Sequence, residues 1–124
     1  MRRGLLPVML LTALLTGGCG VENYNIVIRN MGSKEVRDAN VTYGAFLSGG
    51  GVLSPGRGDT HVSPDYPIPA VATVEWRTED GQMHRQDVEV KKLVPRGFRG
   101  DIQFEIADDN TVTVRIIPRE KIRY

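Results

Sequence analysis

The chain of 124 residues has a single cysteine, Cys19, so no disulfide can close within it and its core must hold by packing alone. Aromatic residues make up only 6% of it. Histidine occurs twice, at His61 and His84, without the close His or Cys spacing of a metal site. An excess of one charge is also missing: 16 basic side chains face 15 acidic ones. Nucleic-acid binding needs basic residues gathered on one surface, and the C-terminal Arg119, Lys121 and Arg123 around Glu120 are a local excess too small for that. That stretch, 119–124, reads as a solvated basic tail, with contact to anionic head groups as the alternative. The longest apolar run, Leu5 to Leu15, is about half what a helix needs to cross a hydrocarbon core. Beyond residue 20 no apolar residues recur at helical spacing over a useful length. A disulfide scaffold, a spanning helix, a helical bundle and a nucleic-acid module are thereby set aside.

What is present begins with the first twenty residues, MRRGLLPVMLLTALLTGGCG. Arg2 and Arg3 form a positive start, Leu5 to Leu15 an apolar middle, and Thr16, Gly17 and Gly18 a run of small residues before Cys19, the order of a secretory signal. Over these twenty residues the chain resembles the lipobox signal of bacterial lipoproteins. It departs from that pattern at Thr16, where the family prefers Leu; Leu15 stands one place earlier. The resemblance implies removal of residues 1–18 and lipid, palmitate included, on Cys19, whose several acyl chains would anchor it stably. Ordinary cleavage near Gly18 and an uncleaved anchor are the alternatives. In this family Asp after the cysteine favours the inner membrane, so Gly20 implies the periplasmic face of the outer membrane. Residues 19–23 would be the tether. Its four residues after Cys19 reach at most about 14 Å, which keeps the domain close to the bilayer.

The rest, 24–118, reads as one β-domain, because apolar residues recur at every second position. Tyr24, Ile26 and Ile28 share one face, as do Ala39, Val41 and Tyr43, then Ala72, Val74 and Trp76. Val88 with Val90, Ile102 with Phe104 and Ile106, and Val112 with Val114 and Ile116 repeat the pattern. Turn formers separate the runs: Asn30 to Ser33, Gly49 to Gly51, Pro55 to Gly58, Glu79 to Gly81, and Asp108 to Asn110. Asp80-Gly81 and Asp109-Asn110 suit tight hairpins, since these residues tolerate positive φ. The expected fold is an all-β sandwich of seven or eight mostly antiparallel strands. The segment NYNIVIRNMGSKEVRDANVTYG resembles the opening hairpin of bacterial immunoglobulin-like domains, where a strand ends in Asn-x-Gly. No cysteine pair brackets Trp76, unlike in true immunoglobulins.

Several motifs invite chemistry and fall short of it. Arg57-Gly58-Asp59 and Arg99-Gly100-Asp101 match an integrin-recognised triplet, but both sit where the pattern suggests turns. Asn40-Val41-Thr42 matches a glycosylation sequon on an expected strand. The glycines 49, 50, 51, 56 and 58 lack the strand before and helix after that a phosphate loop needs. His84 reads as an ordinary edge-strand residue. His61 lies among Asp59, Ser63, Asp65 and Tyr66, residue types a hydrolase uses, with nothing to fix a nucleophile beside a base. The stretch from Phe46 to Tyr66 is longer than a structural turn needs, and excursions of this kind carry recognition. Phe46, Arg57, His61 and Tyr66 are its candidate partner-binding residues; short edge strands at Gly51 to Leu53 and His61-Val62 are the alternative.

The function expected is that of a membrane-anchored, non-enzymatic envelope lipoprotein that binds another envelope or secreted protein, with no cofactor, metal or nucleic acid. A narrower version is an immunity lipoprotein: Val41-Thr42-Tyr43 with the glycines after it, Pro67-x-Pro69 and Val74-Glu75-Trp76 are similar to lipoproteins that neutralise lipase toxins of type VI secretion. The cysteines associated with those proteins are absent. A small envelope hydrolase centred on His61, and small-ligand carriage inside the sandwich, are the other classes. If Trp76 anchors the core, Trp76→Ala should cost about 3–5 kcal/mol in equilibrium unfolding.

Overall fold

The computed structural model describes residues 23–43, 46–61 and 67–119, with the side chains of Asn23, Tyr43 and Phe46 outside that description. Cys19, the signal segment, most of the tether, Ser63, Asp65, Tyr66, residues 120–124 and the side chain of Tyr43 therefore lie outside the described residues. Eight strands build the domain: β1 (Asn23–Asn30), β2 (Val36–Tyr43), β3 (Phe46–Leu53), β4 (Gly58–His61), β5 (Val71–Arg77), β6 (Met83–Glu89), β7 (Arg99–Ile106) and β8 (Val112–Pro118). They form two four-stranded sheets, ordered β4-β1-β7-β8 and β3-β2-β5-β6. All pairings are antiparallel except β1 with β7. The fold is the expected all-β sandwich.

The period-two pattern explains which residues meet between the sheets. From the first sheet come Tyr24, Ile26, Ile28, Ile102, Phe104 and Ile106; from the second come Ala39, Val41, Ala72, Val74 and Trp76, all buried. Val36, Leu53, Ile68, Val90 and Phe98 close the margins. The remaining gap between Tyr24, Ile26, Pro69, Val90, Ile102 and Phe104 has no room for a water molecule. Interior carriage of a small ligand finds no space there. Tyr24 stands opposite Gly100 in the parallel pair. Gly100 has φ of 147°, and a Cβ there would fall 2.1 Å from the carbonyl oxygen of Ile117, so the close passage of β7 over β8 requires glycine.

Three expectations are corrected here. The opening segment is not a hairpin, since β1 and β2 belong to opposite sheets. Arg99-Gly100-Asp101 is no turn; it begins the interior strand β7. The stretch from Phe46 is no extended loop as far as His61: β3 and β4 occupy it as edge strands of different sheets, joined by the turn at 54–57. The reason is the same in the first and last cases. A sandwich is closed by connections that change sheets, and alternation within a strand does not say which neighbour it pairs with.

Asn30 makes the first of these crossings possible. It is 1% exposed, yet every polar group it has is satisfied. Its Nδ2 donates to the carbonyls of Lys34 at 2.7 Å and Leu53 at 3.0 Å, and its Oδ1 accepts from the N–H of Gly32 at 2.9 Å. Its backbone N–H donates to Arg57 at 2.9 Å, and its carbonyl accepts from Gly56 at 2.8 Å. One side chain thus ties the end of β1 to the turn at 31–35 and to β3 in the facing sheet. On the opposite flank, Gln86 of β6 donates to the carbonyl of Val112 and accepts from its N–H, both at 2.9 Å. The amide takes the place of a ninth strand along part of β8, and so shields an edge that would otherwise present open backbone groups.

Asn30→Ala would leave three backbone groups at a buried site without their partner. It should lower the unfolding free energy by about 2–4 kcal/mol in urea titrations. Met31→Ala, in the same turn but half exposed, should stay within about 0.5 kcal/mol.

Candidate functional site

Strand direction sorts the connections into two ends. At the proximal end, where β1 starts, lie the segments 67–70 and 90–98 and the exit of β8. At the distal end lie four turns, at 31–35, 54–57, 78–82 and 107–111. Two of these are hairpins of one kind. Thr78 and Gln82 close the first through a backbone bond of 3.0 Å, and Ala107 and Thr111 the second at 2.9 Å. In each the third loop residue carries the positive φ, Gly81 at 85° and Asn110 at 60°. That is the three-residue hairpin with a bulge, so Asp80 and Asp109, unlike in a two-residue turn, keep negative φ.

Three of the distal turns enclose a cleft of about 210 Å³. Lys34 and Glu35 line it from the first turn, Glu79 and Asp80 from the second, and Asp108 and Asn110 from the third, over a floor that includes Asn30 and Val36. Asp108 fastens the first turn to the third: its carboxylate accepts from the N–H and the hydroxyl of Ser33, both at 2.8 Å. These bonds, the backbone one foremost, hold its pKa below the ordinary value of 3.8. Asp80 is held low as well, first by the hydroxyl of Thr78 and then by the N–H of Gln82. Both carboxylates are solvent-exposed and charged at neutral pH. The cleft is thus a polar, predominantly acidic hollow with rigid walls, whose shape is set by side chains that bond across turns.

Behind it stands Trp76. His84 of β6 stacks on the indole with ring centroids 5.5 Å apart, and its Nε2 lies 3.1 Å from the hydroxyl of Thr78. His84 is half-buried on an edge strand, as its register implied. The hydroxyl donates to Asp80, away from the imidazole, so the group is a hairpin brace and not a nucleophile beside its base. Among the described residues no cluster of His, Cys, Asp and Glu is arranged to hold a metal ion, and no helix is long and apolar enough to cross a membrane.

The four residues singled out for partner binding do not form one group. Arg57 sits in the distal turn before β4, exposed, with its carbonyl bonded to Asn30. His61 ends β4, whose residues are all exposed, and pairs with Ile26 toward the proximal side. Phe46 opens β3 at the proximal end, and Tyr66 lies outside the described residues. Asp59 shares a strand face with His61. The residues missed by sequence reading are those of the cleft, Glu35, Glu79, Asp80 and Asp108. Their turns were legible as chain reversals, but their convergence depends on the pairing of β5, β1 and β7, which no local pattern carries.

No known protein family matches this chain, and no curated protein does. Among solved structures, the NMR structure of a protein from Eubacterium rectale is similar, with a TM-score of 0.55 and 21% identity over 82% of this chain and 94% of that one. At that identity the likeness concerns the fold, a two-sheet sandwich of single-domain size.

The depressed pKa values carry a sign. An aspartate held below its unfolded value stabilises the fold above that value, and the contribution is lost as pH falls through the folded value. Acid unfolding should therefore steepen below the ordinary pKa of 3.8. Asp108→Asn, which keeps one acceptor for Ser33 but loses the charge, should flatten that limb in thermal unfolding followed across pH, and should lower stability at neutral pH. An unchanged acid limb would remove Asp108 from the account.

Proposed function

We propose that this chain is a lipid-anchored envelope protein that presents its distal turns to a protein partner and performs no catalysis. The lipobox resemblance at residues 16–19 supports the anchor, and Gly20 favours the periplasmic face of the outer membrane. The single observation that carries the binding role is geometric: a hollow bordered by three turns lies at the end opposite the start of β1. β1 begins at Asn23, four residues past Cys19, so a chain held at that cysteine turns this end toward solvent. Rigid turns on a sandwich are a common place for recognition. The acidic lining, Glu35, Glu79, Asp80 and Asp108, suits a partner with basic side chains, whose approach would be steered by charge and weakened by salt.

The test has two arms. Cys19→Ser should move the protein from the membrane to the soluble envelope fraction, and growth with labelled palmitate should mark the native chain alone. Photo-crosslinking residues placed at Glu79 and Asn110 should capture a partner in intact cells, whereas one at Arg85 on the outer face of β6 should not. Equal capture from all three positions, or capture from none under several cross-linking conditions, would overturn the binding role.

A further inference from the structure

The two ends of the sandwich carry opposite charge, although the chain as a whole is nearly neutral. The distal turns hold Glu35, Glu79, Asp80, Asp108 and Asp109 against Lys34 and Arg57. The proximal end holds Lys91, Lys92, Arg96, Arg99 and Arg119, all exposed. Against these five cations it holds two described acids, Glu89, ion-paired with Lys92, and Asp101, which accepts from Asn25 at 2.9 Å, so the end keeps a positive excess. The run Lys91 to Arg99 is acid-free, and tertiary structure makes it into a platform. Val90 and Phe98 are buried at its two ends, which pins it to the core. Between them a 3-10 turn at Lys91–Leu93 and a reversal at Pro95–Phe98 hold the backbone, through bonds from Leu93 to Val90 at 2.9 Å and from Phe98 to Pro95 at 3.2 Å. Arg119 is drawn to the same place because its N–H donates to the carbonyl of Arg99 at 2.8 Å. Arg96, Arg99 and Arg119 border an open hollow of about 660 Å³, and Leu93 stands among the cations 48% exposed.

We infer that this proximal end is a second membrane contact, which rests on anionic lipid headgroups and fixes the tilt of the domain. Guanidinium groups around an open hollow match phosphate oxygens, and each cation near an anionic surface adds to the attraction. Leu93 supplies an apolar side chain at the depth of the headgroups. The occupant follows from position as well as charge. The chain enters the sandwich at this same end, at Asn23, and the tether of a lipid on Cys19 is too short to hold it far from the bilayer. The inference rests on the anchor proposed above, but its physical content, a basic face for anionic headgroups, stands apart from the lipid.

The experiment separates the two. The eight described strands lie within 23–119, so the chain from residue 19 onward, carrying Cys19→Ser, contains them all without acyl chains. It should co-sediment with vesicles of about three parts phosphatidylcholine to one part phosphatidylglycerol, and not with phosphatidylcholine alone. Binding should weaken as salt is raised. The combined variant Lys91→Gln, Lys92→Gln, Arg96→Gln should lower the partition coefficient about a hundredfold. Leu93→Ser should weaken binding too, and Arg85→Gln, a cation removed elsewhere, should leave it unchanged. Circular dichroism should show each variant folded, and Leu93→Ser, which removes no charge, is the check if the triple variant does not fold. Equal binding to neutral vesicles, no response to the triple variant, or equally tight capture of a short DNA duplex would overturn the inference. Anionic-vesicle binding in a chain that takes up no palmitate would support the basic end while removing the anchor. Palmitate uptake without vesicle preference would do the reverse.

Discussion

The structure depends on a buried amide. Asn30 sits where β1 leaves one sheet and the chain must enter the other, a place where backbone groups lose their strand partners away from water. Each such group would cost more unpaired than a hydrogen bond returns, so the crossing stands only because one side chain supplies two donors and an acceptor at the right places. The second sheet is located against the first through Leu53, the β3–β4 turn through Gly56 and Arg57, and the first turn through Gly32 and Lys34. The first turn and the β3–β4 turn take their positions from this residue, which also lines the acidic cleft.

Packing and polar bonding divide the work. The interior is held by ordinary burial of Ile, Val, Phe and Trp side chains, with no disulfide available, and the gap beside Tyr24 and Phe104 is too small for water. The margins are held by directed bonds: Gln86 to Val112 on one flank, Ser33 to Asp108 between turns, and Arg115 to Glu105 at 2.9 Å on the outer face of the first sheet. A one-residue slip would turn a strand's buried side chains outward, whereas a two-residue slip keeps the alternation and is opposed by a bidentate amide or carboxylate bond. The rigid distal end is a consequence of bonds of this second kind.

That rigidity gives a functional reading its shape. A sandwich in which β1 starts at one end presents its turns in two groups, and here the groups differ in charge. An acidic hollow away from the chain start and a basic platform beside it are complementary to different neighbours, and the proposed anchor would assign each its own: a basic partner outward, anionic lipid inward. The acidic hollow is assembled from three segments far apart in sequence, the basic platform from the run Lys91 to Arg99 joined by Arg119.

The alternation of apolar residues determined by itself that the domain is all-β, which side chains face inward, and that Trp76 and Phe104 lie in the core, because a strand's side chains must alternate whatever it pairs with. Four of the turn positions were legible for the same local reason, whereas Gly49 to Gly51, read as a turn, lie inside β3. Tertiary structure alone decided that β1 and β2 part into different sheets, that β1 and β7 run parallel, and that Phe46 and Arg57 stand at opposite ends. Pairing partners are chosen by the collective packing of two sheets and by side chains such as Asn30 and Gln86, whose acceptors lie 23 and 26 residues away. No window of sequence contains both halves of such a bond, and so the cleft was not visible before the chain was folded; of the basic face only the acid-free run Lys91 to Arg99 stood in the sequence, and its place beside Arg119 did not.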